Sequence, residues 1–273
     1  MFWAHSGALS IREDNTDAIE FTLACAADAF DALEERLDIS LFERLAITAG
    51  QLERSGRMGA GGVSGARETH ACAAVWDGTR IRYCALLNTG LLTPSAYLPA
   101  LLTGETPPII TGQLATDYCL QLGAQPLSLS GATQPHIDCQ SRAPTDTIGL
   151  LTVNKERSQA AAIVSTASAS APPGRIPPSC LPHVGLYLEA MKGHVTCTFT
   201  TGYTDALLEG GPTARVPELC SDVDFLRVLV GEAVEEQALI ALGGEMRILR
   251  QTATSPKMKM QEWRTFTPKR KGG

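Results

Sequence analysis

No run of apolar residues reaches the roughly 18 that a membrane helix needs, and none of the eight cysteines stands in a Cys-x-x-Cys pair. The first absence predicts a soluble chain with no membrane partner. The second, with no secretory leader expected ahead of MFWAHSGA, predicts reduced thiols in the cytoplasm or nucleus. A whole-chain basic field is also missing: the formal charge is -6 and the pI about 5.4, which argues against a nucleic-acid partner. The five histidines include no His-Glu-x-x-His and no cysteine at zinc-finger spacing, so no metal is expected. No Gly-x-Gly-x-x-Gly follows a strand to open a helix, and no Gly-x4-Gly-Lys-Ser/Thr occurs, so phosphate cradles and organic cofactors are not expected either. A Gly-x-Ser-x-Gly nucleophile elbow is absent, GGVSGA at 61–66 having the wrong spacing.

What the chain does have is 44% hydrophobic residues over 273 positions, enough for one large core or two modest ones. MFWAHSGA reads as a short first strand. Ile19, Leu23, Ala26, Ala27, Phe30 and Leu33 recur at helical spacing behind Asp14 or Asn15 as N-cap. Asp77-Gly78 joins two strand-like runs as a hairpin, and two short helices follow between 94 and 123. Residues 126–146 carry no sustained period and form a linker. Beyond it TIGLLTV and AAAIVST flank NKERSQ as a second hairpin. A helix near 181–192, the strand HVTCTFT, a helix within 221–240 and a hairpin at Gly243-Gly244 are predicted next. The tail 256–273, with Lys257, Lys259, Arg264, Lys269, Arg270 and Lys271, reads as a solvated end; a nuclear localisation signal or contact with an acidic surface is the other reading. This order predicts an α+β chain with antiparallel sheets and helices grouped outside them.

One junction carries chemistry. The linker ends SRAPTD and the strand begins Thr147-Ile148-Gly149. A threonine hydroxyl is a poor nucleophile until a base takes its proton, and the residue's own α-amine can be that base once the preceding peptide bond is broken. Such an amine has an ordinary pKa near 8, so a useful fraction is unprotonated at neutral pH. A cleavable linker directly before a strand that opens with threonine is what this scheme requires.

DTIGLLTVNKERSQAAAIVSTAS, then PPGRI, then HVTCTFTTGYTDALL resemble the three signature stretches of the plant-type asparaginase and threonine aspartase (taspase) family of N-terminal nucleophile hydrolases. AHSGA, GRMGAGG and HACAAVWDG resemble its front-half motifs in the same order. The resemblance implies a four-layer αββα sandwich formed by one domain, 1–273. Scission at Asp146-Thr147 would give an α segment, 1–146, and a β segment, 147–273, with αβ units pairing as a dimer. It implies Thr147 as nucleophile and base and Thr166 as a second hydroxyl beside it, with Ser165 as the alternative. Arg175 would pair with a substrate carboxylate, and Thr201 and Gly202 would hold the oxyanion.

The chain departs from the family at informative places. The family's Gly-Gly is Ala167-Ser168, its Asn is Arg57, and an Asp of the front-half motif is Cys72. The Asp that grips a substrate's free α-amine in asparaginases is replaced by Pro178. That favours an endopeptidase cutting after Asp in a protein or peptide. Hydrolysis of L-asparagine or β-aspartyl peptides is the alternative, and an uncut interaction scaffold is the non-enzymatic one.

Overall fold

The computed structural model describes residues 2–5, 26–55, 66–104, 107–127, 146–154, 156–167, 173–191, 194–201, 225–232, 241–242, 247–252 and 255–261. Within them the strands are Phe2–His5 (β1), Thr69–Trp76 (β2), Ile81–Thr89 (β3), Ile109–Thr111 (β4), Asp146–Asn154 (β5), Gln159–Ala167 (β6), Leu186–Met191 (β7), His194–Thr201 (β8), Phe225–Glu232 (β9), Ala241–Leu242 (β10), Arg247–Thr252 (β11) and Ser255–Gln261 (β12). The α-helices are Leu41–Arg54 (α1) and Gly112–Gln121 (α2), with tighter 3-10 segments at Pro94–Leu102 (η1) and Pro178–Cys180 (η2). Residues 26–32 are also helical. The chain is thus mixed α/β. One seven-stranded sheet runs β10-β1-β5-β6-β2-β3-β4, and a mixed five-stranded sheet runs β12-β11-β9-β8-β7.

Both predicted hairpins lie at the centre of the larger sheet, where β6 pairs antiparallel with β5 on one side and β2 on the other. These strands are buried on both faces, which suits their small, apolar sequences THACAAVW and QAAAIVSTA. One face packs on helices: Ala71, Ile148 and Ile163 share a core with Leu45 and Leu52 of α1 and Leu98 of η1. The other face supplies Cys72, Ala74, Leu151 and Val164 to a second core, completed by Leu186, Leu188, Cys197 and Phe199 of the smaller sheet. Burying each enclosed leucine or isoleucine contributes roughly 2 kcal/mol.

Helix α1 was not expected from periodicity. Ser40 opens it with a reciprocal cap: the Glu43 N–H donates to Ser40 Oγ at 3.2 Å and the Ser40 N–H to Glu43 Oε2 at 2.7 Å. Phe42, Leu45, Ala46, Ala49, Leu52 and Glu53 form its buried stripe. A Cβ on Gly50 would lie 3.1 Å from Ala96 Cβ, so glycine lets α1 approach η1 closely.

Several expectations are corrected. The region 181–192 contains strand β7, not a helix, because Leu186 and Leu188 are buried with the half-exposed Tyr187 between them, a two-residue period. Within 221–240, Phe225–Glu232 is also a strand, its FLRVLVGE run paired in parallel with β8 and β11. The flanks of Gly243-Gly244 do not pair with each other: β10 joins β1 in the larger sheet, whereas β11 pairs with β9 and β12. The first helix between 94 and 123 is 3-10 rather than α, with Pro99 inside it, and the short strand β4 follows it. The sheets are not wholly antiparallel, since β3 and β4 run parallel. Lys257 and Lys259 belong to β12 and not to a solvated tail. Residues 128–145 of the linker, the start of the first predicted helix and the end of the tail lie outside the described residues.

Candidate active site

Parity along the central strands creates the site. On the face toward the smaller sheet, β5 carries Leu151 and Val153, β6 carries Ala162 and Val164, and β2 carries Cys72 and Ala74. Continuing each series by one step of two or four residues reaches Thr147, Thr166 and His70. The apolar surface therefore gives way to a polar row at one end of the sheet. Register makes the row continuous: Thr147 is directly opposite Thr166, and Thr166 directly opposite His70. The Thr147 and Thr166 hydroxyls lie 2.9 Å apart, within hydrogen-bonding distance, and both residues are buried. Thr166, not Ser165, is thus the hydroxyl beside Thr147.

Ser165 points to the opposite face and meets a residue the sequence reading did not single out. Its hydroxyl donates to Glu53 Oε1 at 2.5 Å. The Ser95 hydroxyl donates to the same oxygen at 2.6 Å, and the Ser95 N–H approaches both carboxyl oxygens at 3.3 and 3.4 Å. Burial pushes the Glu53 carboxyl up to about 7, against the lowering effect of the Ser165 and Ser95 hydrogen bonds. A glutamate following Ala46, Ala49 and Leu52 on the buried stripe was the available signal, legible only once helix α1 is recognised.

His70 is likewise held. Its Nδ1 accepts the Asn88 N–H at 3.0 Å, and the residue is 3% exposed. Burial, and then the nearby Arg175 charge, push its pKa down to about 4, so the ring is neutral at pH 7. Asn88 adopts φ 50° and its Nδ2 donates to the Gly174 carbonyl at 3.1 Å. Glu68 accepts the Gly174 N–H on both carboxylate oxygens, at 2.9 and 3.1 Å. The Pro-Gly-Arg turn is thereby fastened beside the row, and Gly174, at φ 82°, has the left-handed backbone that glycine tolerates. Arg175 itself is exposed.

Beneath the row, Cys72 is fully enclosed, and burial followed by the neighbouring Cys180 raises its thiol well above the ordinary range. Such a thiol is a packing group rather than a nucleophile. Pro178 is buried in η2, just after the Arg175 turn. Thr201 is the last residue of β8, in the facing sheet, opposite Gly231. Its side chain, the side chain of Asp146, and all of Gly202 and Arg57 lie outside the described residues. The structure therefore brings together Thr147 and Thr166 and sets Arg175 within electrostatic range of His70.

Among the described residues no group of three His, Cys, Asp or Glu side chains gathers as a metal site, and no helix there is long and apolar enough to cross a membrane. Compared with protein-family models and with curated proteins, the sequence matches none.

Proposed function

We propose that this chain is a self-cleaving hydrolase with Thr147 as its nucleophile, similar in chemistry to threonine aspartase. The observation that carries the reading is the Thr147–Thr166 pair, two buried hydroxyls 2.9 Å apart at the first turn of strand after the linker. Helices against one face of the larger sheet and a second sheet against the other suit a layered sandwich. The finer proposal is the four-layer αββα arrangement, with an αβ dimer as the working unit.

In the proposed reaction the Asp146–Thr147 peptide bond is hydrolysed first, freeing the Thr147 amine. That amine takes the Thr147 hydroxyl proton, and Oγ attacks the substrate carbonyl. Thr166 hydrogen-bonds Oγ and fixes its direction, and Thr201 with Gly202 stabilises the oxyanion. The amine then returns its proton to the leaving nitrogen, and water releases the acyl group from Oγ. Arg175 pairs with the substrate carboxylate. By the resemblance Pro178 stands in for the Asp with which asparaginases grip a free α-amine, which supports a peptide bond after Asp, in a cytoplasmic or nuclear protein, as the preferred substrate. Hydrolysis of L-asparagine or β-aspartyl peptides is the second reading.

Intact mass of the purified protein tests the first step: two pieces meeting between Asp146 and Thr147 are expected, and a single full-length mass after prolonged incubation sinks the reading. Cleavage of Asp-containing peptides is expected to exceed ammonia release from asparagine. The reverse ratio selects the second reading.

A further inference from the structure

His70 stands next to the threonine pair but has no part in the reaction above. Its Cα is paired with that of Thr166, and directly opposed residues on one face have Cβ atoms roughly 5 Å apart. Thr147, Thr166 and His70 therefore form one lateral row across β5, β6 and β2, so a substrate held at Thr147 lies within a residue or two of the imidazole.

The ring's orientation is set by its surroundings. With Nδ1 accepting the Asn88 N–H at 3.0 Å, the neutral ring carries its proton on Nε2. Nε2–H is its remaining donor. Asn88, whose N–H fixes this imidazole, also fixes the arginine turn by donating from Nδ2 to the Gly174 carbonyl, and Glu68 accepts the Gly174 N–H. Asn88 thus braces both the imidazole and the backbone that carries Arg175, so that two kinds of donor, an uncharged N–H and a guanidinium, stand within electrostatic range of each other. A carboxylate suits such a place, because its two oxygens can accept from both donors, whereas a carboxamide brings one acceptor oxygen and an NH2 that a guanidinium cannot accept.

We propose that His70 is a specificity residue whose Nε2–H donates to the substrate carboxylate that Arg175 also pairs, so that the site takes aspartate in preference to asparagine. This rests on the hydrolase reading above and deepens it.

The test uses the purified full-length chain, N-acetyl-L-aspartate and N-acetyl-L-asparagine as probes, and intact mass as an independent readout of self-cleavage. Titration with N-acetyl-L-aspartate is expected to move the imidazole nitrogen resonances of His70. His70→Phe is expected to weaken the dissociation constant about tenfold or more, while His70→Gln, which keeps an N–H at a similar reach, stays within about threefold of the parent. N-acetyl-L-asparagine is expected to bind more weakly than the aspartate probe to the parent, and this preference is expected to shrink in His70→Phe. Parent protein that cuts itself but binds the two probes equally, or whose His70 resonances stay still on titration, overturns the inference and leaves the hydrolase reading standing. Loss of binding in both His70 variants alike overturns it too, because a donor role requires rescue by glutamine. A parent chain that never cuts at Asp146–Thr147 overturns the hydrolase reading itself, and this inference with it.

Discussion

Glu53, on a helix outside the sheet, accepts the hydroxyl of Ser165 at 2.5 Å, and Ser165 is the strand residue immediately before Thr166. The two sides of β6 are thereby tied to different partners, Thr166 to Thr147 and Ser165 to Glu53. A strand cannot rotate one residue without rotating the next, so the Glu53 carboxyl fixes the facing of Thr166 from behind the sheet. In the proposed reaction it would be a positioning residue, acting on Thr166 through Ser165.

Removing that acceptor should therefore cost more than removing its charge. Glu53→Ala leaves the Ser165 hydroxyl, the Ser95 hydroxyl and the Ser95 N–H without their partner in a buried place, and it also opens a void. A loss of about 2–5 kcal/mol is expected. Glu53→Gln keeps an acceptor oxygen and should lose far less. Urea unfolding of both variants at pH 7 checks the difference, and equal losses contradict the hydrogen-bonding account.

Glu53 and His70 should tilt stability with pH in opposite directions. The Glu53 carboxyl is raised in the folded protein from an ordinary 4.5 to about 7. Its contribution is therefore full below pH 4.5 and is lost as pH rises through 7. The His70 imidazole is depressed from 6.5 to about 4, so its contribution is full above pH 6.5 and is lost as pH falls towards 4. Between pH 4.5 and 6.5 the two slopes oppose each other in the parent. Glu53→Gln should leave a protein whose stability rises with pH across that window, relative to the parent, and His70→Gln one whose stability falls. Denaturant midpoints at fixed pH steps read both signs.

Thr147→Ala should yield a single uncut chain without turnover. Thr166→Val should fold but leave the Thr147 hydroxyl without its opposing partner, at a cost of about 1–3 kcal/mol in stability and with slower self-cleavage. Mass spectrometry over a time course distinguishes the two: a Thr166→Val chain cut as fast as the parent removes Thr166 from the mechanism.

Loosening the arginine turn should affect binding more than chemistry. Glu68→Gln weakens the carboxylate's double acceptance of the Gly174 N–H, and Asn88→Ala removes the donor to the Gly174 carbonyl. Both variants are expected to raise KM for an Asp-containing peptide several-fold, with kcat changed little, because in the proposed reaction Arg175 would pair with the substrate in the ground state as well as the transition state. A drop in kcat at constant KM assigns the turn a different role.

Local signals made the central hairpins legible. Asp77-Gly78 flanked by strand-like runs, and the two apolar stretches around NKERSQ, name their own partners because the turn fixes the register. The threonine pair itself was anticipated through the family resemblance, with Ser165 as the alternative, and the register of β5 on β6 is what sets Thr166 opposite Thr147. Strands β7 and β9 were misread as helices because short apolar runs have no unambiguous period, and their pairing partners are supplied by distant chain. β10 and β11 are four residues apart yet join different sheets, a choice no local pattern encodes. Glu53 meets Ser165 across 112 positions and Glu68 meets Gly174 across 106. The sequence by itself determined which residue types face each other within a hairpin, through alternation and turn geometry. Only tertiary structure decided which carboxylate lies behind β6 and which imidazole completes the row, since those contacts depend on how helix, sheet and loop pack after each has formed.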